Sequence, residues 1–267
     1  MSRPLPLIGL VLLFATALAD ASVVTLDSVT TARIDSVLAQ YPPRPHELPG
    51  QRIAQISAQF LGVPYQARML EGSPVSAEKL VIDFRAVDCF TYLDYVEALR
   101  RSSSENGFVQ NLIRTRYKDG RVDYFDRKHF FTDWAVLRPV NARDVTRSLG
   151  ASVVTEDKLL NRKADGSLFI PALGVTSRAV SYIPGTAVNQ AVLAQLRDGD
   201  YIGIYTPTPG LDVTHAGIFV KTAQGPVFRN ASLRIANHKV VDYPFMEYVK
   251  SVPGIVVLRA EGNGTTM

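Results

Sequence analysis

The chain has 267 residues, 46% of them hydrophobic, enough for a sizeable core and inconsistent with a disordered or fibrous polymer. Its 29 lysines and arginines against 25 aspartates and glutamates give a formal charge of +4. The basic residues are scattered and accompany no recognition motif, which excludes nucleic acid as the expected partner. A single cysteine excludes an internal disulfide, and no cluster of histidine and cysteine has metal-ligand spacing, so neither a metal nor another cofactor is expected.

Residues 1–19 carry Arg3, an apolar run from Leu5, and small residues Ala17 and Ala19 flanking Leu18. This is the pattern of a secretory signal cut after Ala19. The run is shorter than the roughly 20 apolar residues of a spanning helix, so no integral membrane segment is expected after cleavage. Residues 20–50 read as a short helix, with Ile34, Val37 and Leu38 at helical spacing over 28–40, followed by the proline-rich connector "YPPRPHELPG". Residues 51–267 form one domain. It opens with "QRIAQISAQFLGVPY", an amphipathic helix expected to carry Tyr65 at its end. Over 88–101 apolar residues leave only a narrow polar stripe of Thr91, Asp94 and Glu97, the mark of a largely buried helix. Residues 102–198 read as an irregular insertion with a few short strands and helices. The last seventy residues hold five short segments rich in Val, Ile, Tyr and Phe, separated by turn residues, which predicts an antiparallel meander. Helices first and sheet last make the fold class α+β.

Within that frame Cys89 follows Asp88 at the start of the buried helix. Asp88 is placed to cap the helix, and the helix dipole would favour thiolate over thiol, lowering a pKa that is about 8.5 in a free cysteine. The same N–H groups would suit an oxyanion. Position alone leaves packing and catalysis equally open, because free cysteine is commonly buried. Of four histidines, His46 sits in the proline connector, His129 in a charged aromatic stretch and His238 in a turn; these are set aside. His215 opens the strand "HAGIFV", where a side chain is held rigidly. A hairpin turn near Thr222 and Ala223 would oppose Asn230 to it, and a two-residue slip would still keep both on one face.

The ordered set "FLGVPY", "DCF", "RKHFFTDW", "NARDVTRSLGAS", "LRDGDYIGIY", "HAGIFV" and "RNAS" resembles the AmiA-like N-acetylmuramoyl-L-alanine amidases, within the NlpC-type, papain-like cysteine amidases of bacterial cell walls. The likeness spans about residues 50 to 260. It implies a papain-like fold in which a buried cysteine-bearing helix packs on a C-terminal antiparallel sheet, with the 102–198 insertion shaping the cleft. It also implies Cys89 as nucleophile, His215 as general base and acid, and Asn230 as the orienting residue, a place where many relatives carry histidine. Tyr65, Asp88, Asp133 and Trp134 are expected along the substrate cleft, Trp134 offering a flat face to a sugar. The expected protein is a secreted, periplasmic monomer that hydrolyses the muramoyl–L-alanine amide of peptidoglycan or muropeptide fragments. Three alternatives stand beside it: a cut between D-glutamate and the diamino acid of the stem peptide, acyl transfer by the same residues, and a non-catalytic envelope-binding module.

Overall fold

Helix α1 (Ser28–Gln40) begins where Asp27 accepts hydrogen bonds from the backbone N–H groups of Val29 and Thr30, and it buries Ile34, Val37 and Leu38. The computed structural model describes residues 26–150, 152–234 and 236–262, so the leader expected over 1–19 lies outside the described residues. Helix α2 (Pro49–Ala58) has proline in its first turn, where a missing N–H is harmless. It ends at Ala58 and does not reach Tyr65. Gly62 adopts φ 84°, and its N–H donates to the Val240 carbonyl at 2.9 Å, so the chain leaves the helix to run beside the sheet.

Helix α3 (Cys89–Arg100) is buried all round, its polar stripe included: Asp94 is 2% exposed and Glu97 0%. Burial of those charges is compensated by ion pairing, complete at Glu97 and through one carboxylate oxygen at Asp94, whose Oδ1 stays unbonded among the described residues. Glu97 accepts from Arg100, Arg101 and the Tyr201 hydroxyl, each within 2.7 Å, while Arg116 donates to Asp94 at 2.7 Å. The insertion is more regular than its composition suggests. Helix α4 (Glu105–Arg116) is capped by Ser104 and buries Phe108 and Leu112 against the same core. Then come α5 (Asp133–Val136), β1 (Ala142–Asp144), and a pair of longer strands, β2 (Val154–Leu160) and β3 (Thr176–Pro184), before α6 (Gln190–Gln195).

Strands β4 (Tyr201–Tyr205), β5 (Val213–Thr222), β6 (Gly225–Ala231) and β7 (Val240–Pro244) form the expected meander. Helix α7 (Phe245–Lys250) then redirects the chain, and β8 (Gly254–Ala260) pairs with β4 instead of extending the meander past β7. The eight strands form one antiparallel sheet in the order β2-β3-β8-β4-β5-β6-β7, with β1 also on β8. Helices α1 to α4 share a core with Tyr201, Ile218, Val256 and Leu258 on one face, while α6 and α7 cover Ile202, Phe219, Phe228 and Val257 on the other. The result is a mixed α and β architecture around a large antiparallel sheet. Among the described residues no helix is long and apolar enough to cross a membrane.

Candidate active site

The Asp88 cap fixes Cys89 in place. Asp88 Oδ1 accepts from the N–H groups of Phe90 at 3.0 Å and Thr91 at 2.7 Å, and Thr91 Oγ1 accepts in return from the Asp88 N–H at 2.9 Å. Helix α3 packs across β5 and β6 and brings this end to the start of β5. There a bulge leaves Thr214 unpaired, since Ile204 pairs with His215 but Tyr205 pairs with Val213. Bulges re-aim the side chains beside them, and His215 is the first residue past this one.

The hairpin that follows pairs Thr222 with Gly225 and Ile218 with Arg229, which displaces Asn230 by two residues from the position opposite His215. A two-residue displacement preserves the face, and His215 Nε2 lies 3.0 Å from Asn230 Oδ1. Asn230 Nδ2 donates to the Phe228 carbonyl at 3.2 Å, which settles the orientation of the amide. Oδ1 can only accept, so Nε2 of His215 carries the proton and Nδ1 is the basic nitrogen. Nδ1 is buried and has no hydrogen-bond partner among the described residues. A buried, unpartnered acceptor is costly unless something else uses it.

The electrostatics differ from the sequence expectation of a resting thiolate. Although the residue is half-buried overall, the thiol itself is enclosed, and burial pushes it up to about 12, with the Asp88 carboxylate adding to the rise. The backbone N–H groups of Ala216, Cys89 and Phe90 pull the other way and lose. The helix-end effect is blunted because its N–H groups face the charged cap first. Burial also lowers His215 below the usual imidazole range, against the opposing effect of its bond to Asn230. At neutral pH the resting site therefore holds a thiol and a neutral imidazole.

Cys89, His215 and Ala216 line one side of a pocket of about 220 Å³; Phe130, Phe131, Phe169, Ile170 and Leu211 make the rest largely apolar. Its far wall is held by residues that sequence reasoning missed. Asn161 sits at φ 79° with its Nδ2 donating to the carbonyls of Ile170 at 3.0 Å and Leu173 at 2.8 Å, while its Oδ1 accepts from the Ile170 N–H at 2.7 Å. Asp212 Oδ2 accepts from both the N–H and the hydroxyl of Thr132 at 2.8 Å. An asparagine before "RKADG", a residue type that tolerates the left-handed region, was the available signal for the first. His129, set aside above, also lines the pocket, but its Nε2 donates to the Tyr124 carbonyl at 2.8 Å.

The remaining expected site residues divide. Tyr65 is half-buried and bridges to Val87 just ahead of the cysteine; burial pushes its hydroxyl up to about 12, with Cys89 and Asp88 contributing, so it is a proton donor at neutral pH. Asp88 acts as the helix cap described above, leaving the Cys89 N–H outside that cap. Trp134 offers no face to a sugar: it is 0% exposed, wedged 5.9 Å from Phe90 and 5.0 Å from Tyr201 between ring centroids. Asp133 is likewise enclosed, accepting from the Phe130 N–H at 2.9 Å and from Arg178 at 3.0 Å, and it holds the pocket wall without facing the cleft. Their sequence context, "FTDW", cannot tell a cleft loop from one folded under the α3 end. Among the described residues no group of three or more His, Cys, Asp or Glu is placed to hold a metal.

The AmiA-like family, described as N-acetylmuramoyl-L-alanine amidase-like, matches residues 55–255. The structure superposes on an N-acetylmuramoyl-L-alanine amidase from Bacteroides uniformis ATCC 8492 with a TM-score of 0.68 and 30% identity, covering 80% of this chain and 99% of that one. Protein LPG0564 from Legionella pneumophila str. Philadelphia 1 shares the fold, with a TM-score of 0.71 at 22% identity over 88% of this chain and 97% of that one. No curated protein sequence matches the chain.

Proposed function

The chain belongs to the AmiA-like, N-acetylmuramoyl-L-alanine amidase-like family, and on that premise we propose that it is a cysteine-dependent amidase of the NlpC type, cutting the amide between the lactyl group of N-acetylmuramic acid and L-alanine. The observation that carries the mechanism is the buried, unpartnered Nδ1 of His215, whose other nitrogen is tied to Asn230. On substrate binding the Cys89 thiol gives its proton to that nitrogen, and the sulfur attacks the lactyl carbonyl carbon. The tetrahedral oxyanion receives the Cys89 N–H, which the Asp88 cap leaves open, and the hydroxyl of Tyr65, which stays protonated near Cys89 and Asp88. The imidazolium then protonates the nitrogen of L-alanine, the C–N bond breaks, and a thioester to the muramoyl group remains. Water, deprotonated by the same imidazole, releases the muramoyl carboxylate and restores the thiol.

The test is product mass. A disaccharide-tetrapeptide incubated with the protein is expected to give free disaccharide and intact tetrapeptide, and a Cys89→Ala variant neither. A disaccharide still carrying L-Ala-D-Glu would move the cut into the stem peptide, and no cleavage by the wild type would point to a binding module. We place the protein in the periplasm on the strength of its leader sequence; N-terminal sequencing of the exported form is expected to begin at Asp20.

A further inference from the structure

Arg234 follows β6, the strand that carries Asn230, and its charge rests on two aromatic rings. Its guanidinium lies 4.8 Å from the ring centroid of Tyr243 and 5.3 Å from that of Tyr248. Tyr248 in turn packs 4.6 Å from Phe228, whose ring is 6.0 Å from that of His215. The backbone is pinned as well: the Arg234 carbonyl accepts from the N–H groups of Asn237 and His238 at 2.8 Å, and the His238 carbonyl accepts from the Tyr65 N–H at 2.9 Å. Arg229, on β6 itself, is paired with Asp242 at 2.7 Å, whereas among the described residues Arg234 pairs with no carboxylate and is exposed.

An arginine oriented by two tyrosines gives up little conformational freedom when it binds, and its planar fork matches a carboxylate. It stands apart from the apolar pocket, since neither Arg234 nor the two tyrosines line that pocket. The substrate of the proposed reaction has a matching asymmetry. The disaccharide is uncharged, and the lactyl carboxyl is consumed in the scissile amide, so every free carboxylate lies on the departing peptide. The first of these is the α-carboxylate of D-glutamate, one residue beyond L-alanine.

We propose, resting on the amidase reading, that Arg234 is a specificity residue that binds this α-carboxylate, so that the acidic peptide leaves across the tyrosine-backed cation while the muramoyl group lies toward the apolar pocket. The enzyme then discriminates muropeptides by whether the second residue is D-glutamate or its α-amide, D-isoglutamine. A site built for a charge rejects the neutral analogue because its own charged group is left unmatched.

The experiment compares two disaccharide-tetrapeptides that differ only in that carboxylate or carboxamide, with wild type, Arg234→Gln and Arg234→Lys. Wild type is expected to prefer the acid by roughly tenfold or more in kcat/KM, as for a hydrogen-bonded charge pair. Arg234→Gln removes the preference and Arg234→Lys keeps part of it. Equal cleavage of both substrates by wild type, or a preference that survives Arg234→Gln, overturns the assignment and leaves the amidase reading standing. If wild type frees the peptide from neither substrate, the amidase reading fails and the inference fails with it. The wild-type comparison needs no variant, so it stands even if a substitution disturbs folding.

Discussion

The two walls of the pocket are built on opposite principles. The wall of α3, β5 and β6 is buried and carries paired polar groups, from the Glu97 cluster to Asp88, and among the described residues Nδ1 of His215 is its unmatched atom at the pocket, Asp94 Oδ1 being unmatched deeper in α3. The facing wall, from Phe130 and Phe131 to Phe169 and Ile170, is apolar at the cleft and is fixed from behind by Asn161 and Asp212. Paired charges on ladders hold reacting atoms to a fraction of an ångström. A loop pinned by one amide tolerates changes in what it contacts. On this view chemistry resides in the first wall and choice of substrate in the second, and substitutions on the two sides should fail in different ways.

The largest contrast is between the two histidines that line the pocket. His215→Gln should lower kcat on a muropeptide by on the order of 10⁴, the upper range for a general acid and base, while His129→Gln should cost less than about tenfold. Equal losses would erase the distinction between the walls. Next comes Glu97→Ala, which leaves the Arg101 guanidinium and Tyr201 hydroxyl without their carboxylate. A buried pair broken on one side costs about 3–5 kcal/mol, to be read as a lower midpoint in denaturant melts.

The neutral resting pair makes a sharper prediction through pH. Burial holds His215 below the usual imidazole range, so kcat/KM should rise as pH climbs through that lowered value, about tenfold per unit, and stay level beyond neutrality because the thiol keeps its proton until far higher pH. A thiolate–imidazolium pair would instead show a falling limb as the imidazolium deprotonates. For the same reason slow alkylation of Cys89 at neutral pH is expected of the free enzyme and does not identify a mere scaffold. The smallest effect belongs to the far wall: Asn161→Ala, which removes the side-chain bonds to Ile170 and Leu173, should raise KM severalfold at nearly constant kcat and cost about 1–3 kcal/mol of stability. A fall in kcat alone would tie this loop to the chemistry.

The same division governs what the sequence reveals. Helices α1 and α3 have caps and apolar spacing that act locally, and the face shared by His215 and Asn230 survives a two-residue slip, so these elements are legible from residues alone. The insertion is not. Helix α4 buries few apolar residues, and β2 is mostly exposed along its length, so neither displays the periodicity that burial writes into a sequence. Trp134 and Asp133 look like cleft residues until the chain folds them beneath the end of α3. The thiol's state is likewise a property of enclosure, set by how far Cys89 is removed from water and by the charge of its cap.

The most direct test of the account is the covalent intermediate. Turnover of a disaccharide-tetrapeptide would be quenched with acid after single-enzyme cycles, and the protein digested and weighed. The account predicts that the peptide containing Cys89 gains the disaccharide joined through its lactyl carbonyl, with no amino acid attached. An adduct that carries L-Ala-D-Glu, or full product release with Cys89 never modified, would contradict it.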